Sequence, residues 1–149
     1  MKLLVLVAVL ATAPAVPVAA QQDLAARSPQ LAFVPATAPS GYRYVIWHWR
    51  QNLGEMHVTF RNRAGKEIDF VAEWQYGRCT GGQQKTFALA HTRVAWSKHR
   101  TQQRAWRCVA ASGIRIELAA STTQPASALA PAALARAVAS MQHVRLKTS

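Results

Sequence analysis

The chain has 149 residues, 50% of them hydrophobic and 16% charged, and a formal charge of +12 at pH 7. This is the size of one domain with one modest core. The cationic excess over only six acids favours polyanionic partners such as envelope polymers, anionic lipid head groups or nucleic acid. Two cysteines, without Cys-x-x-Cys spacing, are too few for a thiolate zinc site and wrongly spaced for a redox pair.

Residues 1–20 read as a cleavable secretory signal. Lys2 precedes the apolar run Leu3 to Leu10, Pro14 and Pro17 follow, and Val18-Ala19-Ala20 places small residues before a cleavage point after Ala20. The run is too short to span a bilayer, and no cysteine follows it for lipid attachment. A soluble periplasmic or secreted protein is expected, with no transmembrane segment after cleavage. Removing the signal removes only Lys2 among the charged residues, so the mature part is about as basic.

Residues 21–40 are rich in Ala, Pro and Gln, with Pro29, Pro35 and Pro39 against regular structure. They read as a linker, its patch Leu31, Phe33, Val34 being available to dock as an extended segment. The folded domain is expected over 41–149, with a sheet over 41–121. Its first strand is Tyr42 to Arg50, dominated by aromatic and β-branched residues without helix period. In this strand Trp47 and Trp49 share a face. Next, Met56 to Arg61 and Glu67 to Glu73 form a hairpin around Asn62-Arg63-Ala64-Gly65-Lys66, Gly65 supplying the left-handed residue. Pairing Asn62 with Lys66 sets Phe60 against Ile68, Val58 against Phe70 and Met56 against Ala72, one wholly apolar face; Arg61 meets Glu67 on the other.

Tyr76 to Gly82 is a turn cluster with three glycines. Further strands are expected at Lys85 to Ala90 and Thr92 to Ser97, then a pair, Arg93 to Lys98 with Arg104 to Ala110, flanking a polar loop, and after a Ser112-Gly113 turn a strand at Ile114 to Leu118. A connector over 122–130 leads to an amphipathic helix over 131–143, with Leu134, Val138 and Met141 on one face and Pro131 in its first turn. The fold class is therefore α+β, an antiparallel meander of about six strands with one C-terminal helix packed on it. Cys79 lies in a loop and Cys108 in a strand, and in an oxidising compartment they are expected to form a disulfide.

The layout resembles a family of extracytoplasmic bacterial domains of unknown function found on anti-sigma-factor-like membrane proteins and lipoproteins. The resemblance is carried by Pro39-Ser40-Gly41-Tyr42 before the first strand, the hairpin Val58-Thr59-Phe60 to Gly65 to Ile68, Ala95-Trp96, the Trp106 strand, Gly113-Ile114 leading into Ile116-Glu117-Leu118, and the terminal helix. It implies a sheet-and-helix module that senses or binds something outside the inner membrane. It implies no catalytic residues; no cofactor is expected.

One segment stands out for binding: Trp96 to Trp106 is nearly symmetric about Thr101. Paired as a symmetric hairpin, Trp96 faces Trp106 and Lys98 faces Arg104, and opposed cations beside aromatics invite a bound anion. Trp96, Lys98, Arg100, Arg104 and Trp106 are the candidate ligand-binding residues. The same features fit a structural tryptophan pair with a solvated basic tip. The five histidines, His48, His57, His91, His99 and His143, show no metal-ligand spacing, and no metal is expected. A small basic secreted hydrolase acting on nucleic acid would draw on His57, Glu73, His91 and His99 as acid, base and clamp. No Gly-x-Ser-x-Gly elbow or phosphate loop is present. The reading this favours is non-enzymatic binding of an anionic or amphipathic envelope component, a polymer or a lipid head group. Alternatives are a structural or accessory module with a protein partner, and the nuclease-like hydrolase. Nucleic acid enters the binding reading only as a non-specific polyanion.

Overall fold

A computed structural model describes residues 13–79, 81–111, 113–122 and 129–148, the side chain of Ala111 excepted. Residues 1–12 of the expected signal, Ser112 of the expected turn and 123–128 of the expected connector lie outside the described residues. The order of elements is α1 (Val18–Arg27), β1 (Phe33–Pro35), β2 (Arg43–Arg50), β3 (Glu55–Arg61), β4 (Glu67–Gln75), β5 (Lys85–Leu89), β6 (Thr92–His99), β7 (Gln102–Ala111), β8 (Ile114–Thr122), α2 (Pro131–Ala139) and β9 (Met141–His143). Seven strands form one antiparallel sheet in the order β2-β3-β4-β8-β7-β6-β5, and β1 pairs with β9 in a second, two-stranded sheet.

The antiparallel α+β class holds, but the sheet is not a simple meander, because β4 neighbours β8 rather than β5. The strands' composition explains the exchange. Position beside β4 is central and demands burial: in β8 Ile116, Leu118, Ala119 and Ala120 are all buried, whereas β5 carries Lys85 and Thr86 exposed and suits an edge. Between β4 and β5 the chain passes to the far edge of the sheet, from which β6, β7 and β8 return one strand at a time. The Cys79–Cys108 disulfide, with Cα atoms 6.1 Å apart, fastens this crossing segment to β7 as expected for a loop-to-strand bridge.

The β3–β4 hairpin has the register expected, Phe60 opposite Ile68, Val58 opposite Phe70 and Met56 opposite Ala72. Its turn closes through Asn62 N–H to Lys66 O and Lys66 N–H to Asn62 Oδ1, both 2.9 Å. Gly65 adopts φ +78°, a conformation an L side chain resists. Rows such as Trp47–Val58–Phe70–Ala120–Ala105–Trp96 face the helices and form the core side of the sheet. Trp47 and Trp49 both pack against that core.

Two helices cover this side, not one. Helix α2 lies over β5 to β8 through Leu134, Ala135 and Val138, while α1 packs against β2 and buries Leu24 and Ala25. The span 21–40, expected as a linker, is thus folded: α1 occupies its start, and Leu31, Ala32 and Val34 are wholly or almost wholly buried. The prolines misled because none lies inside the helix: Pro29 follows it, Pro35 closes the short strand β1, and Pro39 comes later still, so they punctuate the elements rather than break them. The docking of Leu31, Phe33 and Val34 as an extended segment is realised as β1. Helix α1 runs through Ala20, and Val16 ahead of it is fully buried, so the expected cleavage boundary falls within the first turn. Helix α2 ends at Ala139, short of the expected 143, because Met141–His143 pairs with β1 as β9.

Candidate functional site

The symmetric pairing expected for residues 96–106 is displaced by one residue. Trp96 pairs with Ala105, Lys98 with Gln103, and His99 with Gln102, around a two-residue turn in which Arg100 takes φ +56°. Because side chains alternate along a strand, the slip places Trp96 and Trp106 on opposite faces. Trp96 turns to the helices and donates from Nε1 to Gln103 Oε1 at 3.0 Å. Trp106 lies on the opposite face of the sheet but is buried there beneath Arg104, whose guanidinium carbon lies 4.9 Å from its ring centroid. Arg104 is committed further to an ion pair with the fully buried Glu117. Lys98 and Arg100 remain exposed at the tip. The five candidate residues therefore do not converge on one surface, and no cation opposes another there.

The outward face carries a row of ionisable side chains that alternation alone could have grouped once the strand order was known. Arg50, Glu55, Glu73 and Glu117 follow one another across β2, β3, β4 and β8, and the disulfide-bonded Cys108 of β7 ends the row. One row over, His57 is nearly buried, with Nδ1 2.7 Å from Asp69 Oδ2 and Nε2 2.7 Å from Glu55 Oε2. Burial opposes its protonation, but the two carboxylate hydrogen bonds prevail and raise its pKa. His48 stacks on it at 4.7 Å between ring centroids; burial and the His57 charge push the His48 pKa down. Glu73 is pushed up to about 7, first by burial and then by the facing carboxylates of Glu117 and Glu55, with which it shares hydrogen bonds.

The members of this network satisfy one another: His57 bonds both Asp69 and Glu55, and Glu117 holds Arg104. The four residues considered for hydrolysis are separated: His57 and Glu73 belong to the network, while His91 and His99 lie at or beside the exposed β5–β6 and β6–β7 turns. His143 sits in β9, against Phe33 and within 2.6 Å of the Pro29 carbonyl.

A site does form where β4 ends and β8 begins. On the helix side of this end, Pro29, Phe33, Trp74, Val109 and Ile114, with His143 and Gln30 at the margin, enclose a cleft of about 490 Å³. A second depression of about 620 Å³ is lined by Tyr76, Arg78 and Arg115, and it shares Trp74 and Ile114 with the first. Arg115 is held in place by donating from Nη1 to the Gly77 carbonyl at 3.3 Å. Ile114 is 42% exposed and Tyr76 almost wholly so. An apolar chamber and a basic shelf thus meet over one pair of side chains. Sequence reasoning missed this because the chamber is closed by residues from β1 and β9, segments read as linker and helix.

No protein-family model, no curated protein and no solved structure matches the chain. The disulfide is formed, and among the described residues no helix is long and apolar enough to cross a membrane.

Proposed function

We propose that the chain is a non-enzymatic binding domain acting outside the cytoplasm, and that its ligand is an amphipathic, anionic envelope component. The observation that carries this reading is the shared wall of Trp74 and Ile114 between the apolar cleft and the basic shelf. A binding cleft of this size, mostly apolar with a few polar groups at its margin, suits a small molecule rather than a polymer backbone. The apolar part of the ligand lies between Phe33, Val109 and Ile114. Its anionic head meets Arg78 and Arg115, whose planar guanidinium groups favour oxyanions. The disulfide and the short apolar N-terminal run support the extracytoplasmic setting.

The test is titration calorimetry of the oxidised protein with lysophosphatidylglycerol below its micelle concentration. Saturable binding near one equivalent is expected, weakened more than about tenfold by Ile114→Asp and less by Arg115→Glu. Both positions are exposed, so the fold should tolerate them. Absence of saturable binding in the unmodified protein, or equal binding by both variants, rejects the reading.

A further inference from the structure

Opposed cations of the kind expected at the 96–106 hairpin do occur, but at the other edge of the sheet. Arg43 in β2 lies directly opposite Arg61 in β3. Like charges in this position destabilise a strand pair. Glu67 relieves Arg61, accepting from its Nε at 2.9 Å and its Nη2 at 2.5 Å. Arg43 and Arg63 have no acidic partner among the described residues, and with Ser40 and Asn62 they border an open depression of about 630 Å³. Five of the six acids are engaged elsewhere, and the sixth, Asp23 on α1, acts on Tyr44 beside Arg43 but forms no ion pair with either arginine among the described residues. Glu55 and Asp69 hold His57, Glu117 holds Arg104, and Glu73 bonds to Glu117 and Glu55.

Two apolar side chains stand beside these arginines. Ile46 is 55% exposed and Val45 39% exposed, at the point where a register shift interrupts β2–β3 pairing. The register rows also bring the β6–β7 tip, with Lys98 and Arg100, to this same end of the sheet. It is the end opposite the Trp74–Ile114 cleft. Unneutralised cations interspersed with protruding aliphatic groups complement an anionic bilayer surface, where charges meet head groups and apolar side chains enter the interface. Nucleic acid would be matched instead by stacking aromatics and base-edge donors.

We propose that this end of the sheet, centred on Arg43, Arg63 and Ile46, docks on an anionic phospholipid bilayer. The docking is independent of what fills the cleft, and leaves that cleft facing away from the membrane.

The experiment is flotation of the oxidised protein with vesicles of phosphatidylcholine, with and without phosphatidylglycerol, at low and near-physiological salt. Binding is expected only with phosphatidylglycerol. It should fall more than about tenfold in an Arg43→Glu, Arg63→Glu double variant, and measurably in Ile46→Asp. Arg27→Glu, an equal change of sign at one site on the cleft side of the molecule, should leave it nearly intact. Arg63→Glu alone, in a surface turn, carries the same test if the double variant melts early. Binding indifferent to phosphatidylglycerol, or lost equally with Arg27→Glu, overturns the proposal. Lysolipid titration of the Arg43→Glu, Arg63→Glu protein separates the two sites: cleft binding is expected to persist there whether or not vesicle binding is lost.

Discussion

Arg107 in β7 donates from Nη2 to the carbonyl of Met141 at 2.7 Å, joining the sheet to the chain just beyond α2. The same guanidinium reaches Val138 O and Ala139 O at 3.2 and 3.5 Å, so one half-buried cation gathers the carbonyls that a helix end leaves unpaired. Burial alone lowers its pKa, and it remains charged at neutral pH. Replacing Arg107 with Met keeps much of the apolar stem and removes these bonds. A loss of about 2 kcal/mol in urea unfolding is expected, with β9 losing amide-exchange protection before the rest of the sheet.

Acidity should stabilise the fold. The His57 pKa is raised on folding, so its contribution is present below the unfolded value and is lost as pH rises through the folded one. Glu73 has the same sign: pushed up to about 7, it binds its proton more tightly folded than unfolded, and stability falls as pH rises from its ordinary carboxyl range towards 7. His48, lowered on folding, acts oppositely below pH about 6.5. Melting temperature should therefore decline as pH rises from about 4.5 to about 7, and Glu73→Gln should flatten that decline. A profile unchanged by the substitution would show that Glu73 carries no proton in this range.

Reducing the Cys79–Cys108 bridge releases a loop with a sequence separation of 29 residues. Chain entropy gives roughly 3 to 4 kcal/mol for closing a loop of that length. Urea unfolding with and without reductant measures it. The Cys79→Ser, Cys108→Ser protein should match the reduced one and should also bind lysophosphatidylglycerol more weakly, since Arg78 rides on the released segment.

Val16 is fully buried, and Gln21 binds back to this segment, donating from Nε2 to Val16 O at 2.8 Å and from its backbone N–H to Pro17 O at 3.0 Å. A protein beginning at Gln21 should consequently be less stable than one beginning at Ala13, by about 1.5 to 3 kcal/mol for the lost valine alone. Equal unfolding midpoints for the two would show that α1 needs none of its first turn.

Gly54 packs beneath the cleft wall. A Cβ there would lie 3.0 Å from Trp74 Cδ1, on a backbone with φ +62°. Gly54→Ala should cost about 1 kcal/mol or more, shift Trp74, and weaken lysolipid binding without changing vesicle flotation.

What could be read from the sequence was whatever depends on neighbours in the chain. Alternation and turn chemistry placed the β3–β4 hairpin residue for residue, the strand Arg43–Arg50, and the amphipathic stripe Leu134, Val138 of α2. Compartment and cysteine count pointed to the bridge. The choice of β8 rather than β5 as the neighbour of β4 rests instead on which strand can be buried on both sides, a property of the assembled sheet. The β6–β7 register turned on a two-residue turn that near-symmetry about Thr101 disguised, and one residue of slip was enough to send Trp96 and Trp106 to opposite faces. Residues 21–40 carried little periodicity because α1 and β1 are short and gain their stability from the core they cover. The cleft at Trp74 and Ile114 draws its walls from β1, β4, β7, β8 and β9. Only tertiary structure brings those distant segments together, since no local pattern encodes a surface whose sides are contributed from both ends of the chain.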